Sequence, residues 1–115
     1  MLELKLNYFD KSLMKKIFLL FSLVFIYSYS YADETGKQLA QESGCLACHS
    51  VKTKVLGPSY QDVAKKYKQD KTAKSMLIKK IKNGGKGSWG NVPMPPHPKL
   101  KEKDIEKIVT WILSI

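Results

Sequence analysis

The chain has 115 residues, 43% of them hydrophobic and 26% charged. This bounds it at one compact domain and excludes disordered, collagen-like and multi-pass membrane classes. Its 20 basic residues are all lysine and face 10 acidic ones, for a net charge of +10, and its two cysteines are too few for a disulfide-rich scaffold.

Residues 1–32 differ from the rest. Lys15 and Lys16 precede an apolar run from Ile17 to Tyr29, broken only by Ser22 and Ser28, and Ser30-Tyr31-Ala32 close it with small residues at −3 and −1 of a cut. That is the layout of a secretory signal peptide. The run is also shorter than the roughly 20 residues of a membrane-spanning helix. An uncleaved N-terminal anchor is the competing reading. Met14 stands directly before the lysine pair, so 1–13 read as an upstream extension, 14–32 as the signal peptide and 33–115 as the exported domain. No Cys precedes Cys45 to accept a lipid. The expected domain has 83 residues and a net charge of +8. A chain this small buries a limited core and often leans on a metal or prosthetic group.

Within the domain, Gly36, Leu39, Ala40 and Ser43 fall at helical spacing and predict a short helix over Thr35 to Ser43, ended by Gly44. Cys45-Leu46-Ala47-Cys48-His49 follows, the C-x-x-C-H pattern of c-type haem attachment. Thiols three residues apart project from one side of a helical turn, so both reach vinyl groups on one edge of a macrocycle. The next residue then carries an imidazole under the iron. A thioredoxin-like redox pair, a plain disulfide and a zinc site are the alternatives, each lacking support here. No βαβ pattern surrounds the pair, and His97 is the only other His.

Ser59 is placed to cap a second helix, with Asp62 three residues on, and Tyr60, Val63, Ala64 and Tyr67 form one apolar face. A third helix is expected from about Thr72 to Asn83, with Met76, Leu77 and Ile81 inward, stopped by Gly84-Gly85. From Gly84 to Pro98 the chain is too rich in Gly and Pro for regular structure. Ile105, Ile108, Val109, Ile112 and Leu113 then mark the clearest helix, with Lys101 where a capping side chain would be expected. The class is all-α.

From Gly36 to Ile115 the chain resembles the class I monohaem cytochromes c of the small bacterial c551/c8 type. The resemblance rests on Cys45-Leu46-Ala47-Cys48-His49, Gly57-Pro58, Lys82-Asn83-Gly84, Trp89-Gly90, Val92-Pro93-Met94-Pro95-Pro96 and Trp111-Ile112-Leu113-Ser114, in the family's order. It implies a small cytochrome c fold, about four short helices wrapped around one covalent haem c. Cys45 and Cys48 would form its thioethers, and His49 and Met94 would be the axial iron ligands. Pro58 would accept a hydrogen bond from the far nitrogen of His49, and Trp89 would face a propionate in the haem pocket. Met76, in phase with Leu77 and Ile81, reads instead as core. His97 stands where the family commonly has Asn. It could bond near the Met94 sulfur, sit in solvent, or replace Met94 on iron. Ala40 stands where the family often has an aromatic, which implies thinner packing between first and last helices.

A His/Met pair favours ferrous iron and leaves no open position. The resemblance therefore implies a monomeric periplasmic one-electron carrier, not an enzyme, that passes electrons from a respiratory donor to a terminal oxidase or reductase. A haem c enzyme or gas sensor with a displaceable Met94 is the alternative, and a haem-free thiol–disulfide oxidoreductase is a third. The lysine excess implies redox partners with acidic docking surfaces, with Lys52, Lys54, Lys86 and Lys99 nearest the haem edge. Nucleic acid is disfavoured by export and by the lack of Arg.

Overall fold

The computed structural model describes residues 11–115, with the side chains of 23–34 also outside the description. Most of the expected upstream extension (residues 1–10), and the side chains at the expected cut after Ala32, therefore lie outside the described residues. The chain divides into two units, Met1–Tyr31 and Ala32–Ile115. In the first, the described apolar side chains of Phe18, Leu19, Leu20 and Phe21 are all exposed. No helix among the described residues is long and apolar enough to cross a membrane.

Among the described residues the regular structure is four α-helices and one 3-10 turn: α1 (Lys11–Glu42), the turn Cys45–Ala47, α2 (Tyr60–Tyr67), α3 (Ala73–Asn83) and α4 (Glu102–Ser114). Among the described residues there is no strand, only an isolated antiparallel bridge between Gly85 and Met94. The fold is all-α. The helix expected to start at Thr35 is the last part of α1, which begins at Lys11. Its end falls where Gly44 adopts φ 76°, a left-handed conformation that costs glycine little.

α4 is the centre of the domain. Ile105, Ile108, Val109, Trp111 and Ile112 are buried along it, and α2 and α3 both pack on it. Each such aliphatic side chain contributes about 1.5–3 kcal/mol by leaving water. No side chain caps its start at Lys101, but Glu102 and Asp104 place negative charge where the exposed N–H groups gather.

α2 starts as the sequence predicts. The Ser59 hydroxyl, fully buried, accepts the Asp62 N–H at 3.0 Å and donates to the Asp62 carboxylate at 2.7 Å. α3 lacks a side-chain cap at Thr72. Asp70 instead closes a turn just before it, its carboxylate accepting the Thr72 N–H at 2.8 Å and hydroxyl at 2.7 Å.

α1 meets α4 at small residues. Gly36 and Ala40 are both buried, Ala40 completely. A Cβ on Gly36 would collide with the Trp111 Cβ and lie 2.5 Å from the Lys107 carbonyl oxygen. The absence of a side chain at Gly36 lets the two backbones approach at that point.

Candidate haem-binding cleft

The Cys45–Ala47 turn winds tightly because Gly44 redirects the chain as α1 ends. The Cys45 carbonyl then accepts the N–H of Cys48 at 3.2 Å and of His49 at 3.0 Å. One turn thus presents the half-buried Cys45 and Cys48 side chains, with His49 directly beyond them. Burial holds the Cys45 thiol above its ordinary pKa, while the Tyr60 hydroxyl beside it pulls the other way.

His49 is fixed on three sides. Its Nδ1 lies 2.8 Å from the Pro58 carbonyl oxygen. A carbonyl only accepts, so Nδ1 carries the proton and Nε2 is left with its lone pair. Tyr60 stacks on the ring at 5.5 Å between centroids. Gly57 covers it so closely that an added Cβ would meet Nδ1 at 2.7 Å. Tyr60 is itself wedged edge-on against Trp111 at 5.0 Å. Its hydroxyl is buried without a partner of hydrogen-bonding geometry among the described residues, and burial pushes its pKa well above the usual phenol range.

Met94 arrives from the Gly/Pro segment and is pinned there. Its N–H donates to the Gly85 carbonyl at 2.9 Å and its own carbonyl accepts the Gly85 N–H at 3.0 Å. Gly84, at φ 69°, lets the backbone pass under this loop; a Cβ there would lie 2.5 Å from the Met94 carbonyl oxygen and 2.8 Å from the Pro96 nitrogen. The His97 N–H donates to the Ile81 carbonyl at 3.0 Å, and Lys82 Nζ donates to the carbonyls of Pro98 and Leu100 at 3.1 and 2.9 Å.

Cys45, Cys48, His49, Pro58, Trp89 and Met94 all line one cleft of about 180 Å³. Its other walls are largely apolar, from Leu56, Val63, Leu77, Ile81, Val92 and Ile112 among others. The donor set suits an iron porphyrin attached by its edge: two thiols on one turn, an imidazole oriented to leave Nε2 free, and a thioether from a separate loop. It does not suit zinc, since no three His, Cys, Asp or Glu side chains among the described residues are placed to hold one metal ion between them.

Of the four lysines expected nearest the cleft, Lys86 lines it, and Lys80, not singled out from the sequence, does so too. Lys52, Lys54 and Lys99 are exposed and do not line it, nor does His97. Sequence reasoning also passed over Tyr60 and Gly57 as companions of His49. Tyr60 carried only the signal of an inward helix position, and Gly57 that of a turn.

The Cytochrome c family profile matches residues 34–115. The chain belongs to the cytochrome c family. It is similar to cytochrome c-551 of Allochromatium vinosum, with 51% identity over 77 residues, 67% of this chain and 82% of the relative. Against cytochrome c-552 of Hydrogenobacter thermophilus the identity is 48% over 102 residues, 89% of this chain and 99% of the relative. The crystal structure of wild-type Nitrosomonas europaea cytochrome c552 superposes with a TM-score of 0.66 at 42% identity, covering 68% of this chain and 96% of that one. These likenesses make the chain a class I monohaem cytochrome c of the c551 type. As such it is a small electron carrier that takes one covalent haem c with its iron and works with redox partner proteins.

Proposed function

We propose that the protein is a periplasmic electron carrier of a respiratory chain, its iron held permanently by His49 and Met94. Cys45 and Cys48 form the thioethers, and Pro58 orients His49 through the Nδ1–H···O bond. Bound haem supplies an iron that gains and loses one electron. The residues around it supply fixed geometry. The single observation that carries this reading is the 2.8 Å contact between His49 Nδ1 and the Pro58 carbonyl, which commits one ring nitrogen and frees the other.

The paired backbone bonds between Met94 and Gly85 hold the thioether loop in one place. A ligand so held keeps the metal closed, which favours electron transfer over substrate turnover and makes the protein a carrier rather than an enzyme. The apolar walls exclude water, and the partly exposed Trp89 sits in the pocket at its rim.

Residues 14–32 are read as a cleaved leader, and the exposed apolar side chains of Phe18 to Phe21, which find no core, support that. For the acidic docking surface of a redox partner, the support is charge placement. Residues 63–101 carry 11 lysines and a single acid, Asp70, while the domain on either side of them is slightly acidic. Lys80 and Lys86 bring part of that charge to the cleft. The protein acts as a monomer, passing electrons from a respiratory donor to a terminal oxidase or reductase.

The test is the absorption spectrum of the exported protein beside Met94→Ala. Wild type is expected to weigh one haem more than the chain cut after Ala32. It should also show a sulfur–iron charge-transfer band when oxidised, and refuse carbon monoxide when reduced. Met94→Ala is expected to lose the band and bind carbon monoxide. A band that survives the substitution overturns the axial assignment, and wild-type carbon monoxide binding supports an enzyme or gas sensor instead.

A further inference from the structure

The Gly84–Gly90 loop forms one wall of the cleft and has little means of holding its own shape. Gly84, Gly85, Gly87 and Gly90 all have positive φ, and glycine gives a loop many alternative conformations. Within the loop, the Gly87 N–H donates to the Gly90 carbonyl at 2.8 Å, and Gly85 pairs with Met94. The Gly84 N–H anchors the start of the loop to α3 at the Lys80 carbonyl, 2.8 Å away, but none of these bonds ties residues 86–90 to the helical core.

Lys66, on the outer face of α2, makes that tie. Its Nζ donates to the Ser88 carbonyl at 2.9 Å, across 22 residues of sequence, and sits 4.3 Å from the centroid of the Trp89 ring. Tyr67, next to it on α2, meets Trp89 edge-to-face at 6.5 Å and 78°. One ammonium therefore grips the loop twice, by a charge-assisted hydrogen bond and by a cation–π contact, while Tyr67 supports the same indole from the helix.

We propose that Lys66 is a positioning residue, a clamp that holds the Gly84–Gly90 loop and Trp89 against the cleft and so keeps Met94 seated. The link to Met94 is the Gly85–Met94 pair: a loop released at Ser88 and Trp89 transmits its freedom to both residues. The clamp stands on contacts within the chain. Its consequence for ligation rests on the reading of Met94 as an iron ligand.

Lys66→Met keeps most of the aliphatic stem and removes the charge and the donors; Lys66→Arg keeps both. In the reduced, haem-loaded protein, amide hydrogen exchange is read at Gly85, Gly87 and Met94, with Val109 and Ile112 of α4 as internal controls. Lys66→Met is expected to speed exchange at the three loop amides about five- to tenfold, the effect of losing one exposed cation–π contact and one charged hydrogen bond. The α4 amides should be unchanged and Lys66→Arg should stay near wild type. Affinity of the oxidised protein for added imidazole should rise about as much in Lys66→Met. Unchanged loop exchange, equal acceleration in α4, or no rescue by arginine overturns the clamp. Faster loop exchange with no gain in imidazole affinity, in a protein whose wild-type sulfur–iron band is present, overturns the seating of Met94 by the clamp. Absence of that band in wild type instead marks failure of the ligand assignment, with the exchange data still deciding the clamp.

Discussion

Gly57 covers the His49 ring at a distance that leaves no room for a methyl group: a Cβ would reach three ring atoms, Nδ1 at 2.7 Å among them. The same ring donates to Pro58, the next residue, so a single dipeptide shields and orients the imidazole.

Gly57→Ala is therefore expected to push the ring off the Pro58 carbonyl. Overpacking of this kind costs about 1–3 kcal/mol. The measurement is the urea midpoint together with the His49 ring resonances by NMR. An unchanged midpoint with unchanged resonances would mean that the ring is not confined as described.

Tyr60→Phe tests the unpartnered hydroxyl. The stacking on His49 and the edge contact with Trp111 survive the change, while a buried group that lost its water disappears. Stability is expected to hold or to rise by up to about 1 kcal/mol. A loss beyond about 1.5 kcal/mol would reveal a hydrogen bond worth more than its desolvation.

Gly36→Ala ordinarily favours a helix by up to about 1 kcal/mol. Here the new methyl meets Trp111 and the Lys107 carbonyl. The expected net result is a destabilisation of about 1–3 kcal/mol by thermal unfolding. A stabilised variant would show that α1 and α4 do not cross closely at this point.

Asp70 supplies a pH dependence. The Thr72 hydroxyl, and then the Thr72 N–H, hold its carboxyl below the usual range, so folding favours the charged form. The resulting stabilisation is present above the ordinary carboxylate pKa of about 4 and is lost as pH falls through the lower folded value. Amide exchange at Thr72 and Ala73 is expected to accelerate over that acidic window in wild type and to lack the step in Asp70→Asn. An identical step in both would assign it to another group.

The lysines at the cleft give a kinetic prediction. Lys80→Glu with Lys86→Glu should slow electron transfer to an acidic partner several-fold at low salt, with the difference fading near 1 M salt as the charges are screened. Lys52→Glu with Lys54→Glu, which do not line the cleft, should slow it less. Stopped-flow rates against ionic strength decide, and equal effects would remove the special standing of Lys80 and Lys86.

Local chemistry was legible in the sequence and lateral contact was not. The Ser59–Asp62 cap spans four residues, the Cys45–His49 turn five, and the His49–Pro58 pair follows a family pattern; each has a signature within reach of itself. Gly36, Gly57 and Gly84 look alike as letters, yet one admits a neighbouring helix, one an imidazole and one a crossing loop. Nothing local says which. Lys66 reaching Ser88 and Lys82 reaching Leu100 are equally silent, because long flexible side chains choose partners only after the backbone has assembled.

The stretch from Met94 to Leu100 is sewn to the end of α3 and the residues just beyond it at successive points: Gly85 to Met94, Ile81 to His97, and Lys82 to Pro98 and Leu100. Helix end and strap thus form one cassette. Transplanting the strap alone into a related carrier would sever its stitches, whereas residues 81–100 moved together would bring their own frame with them.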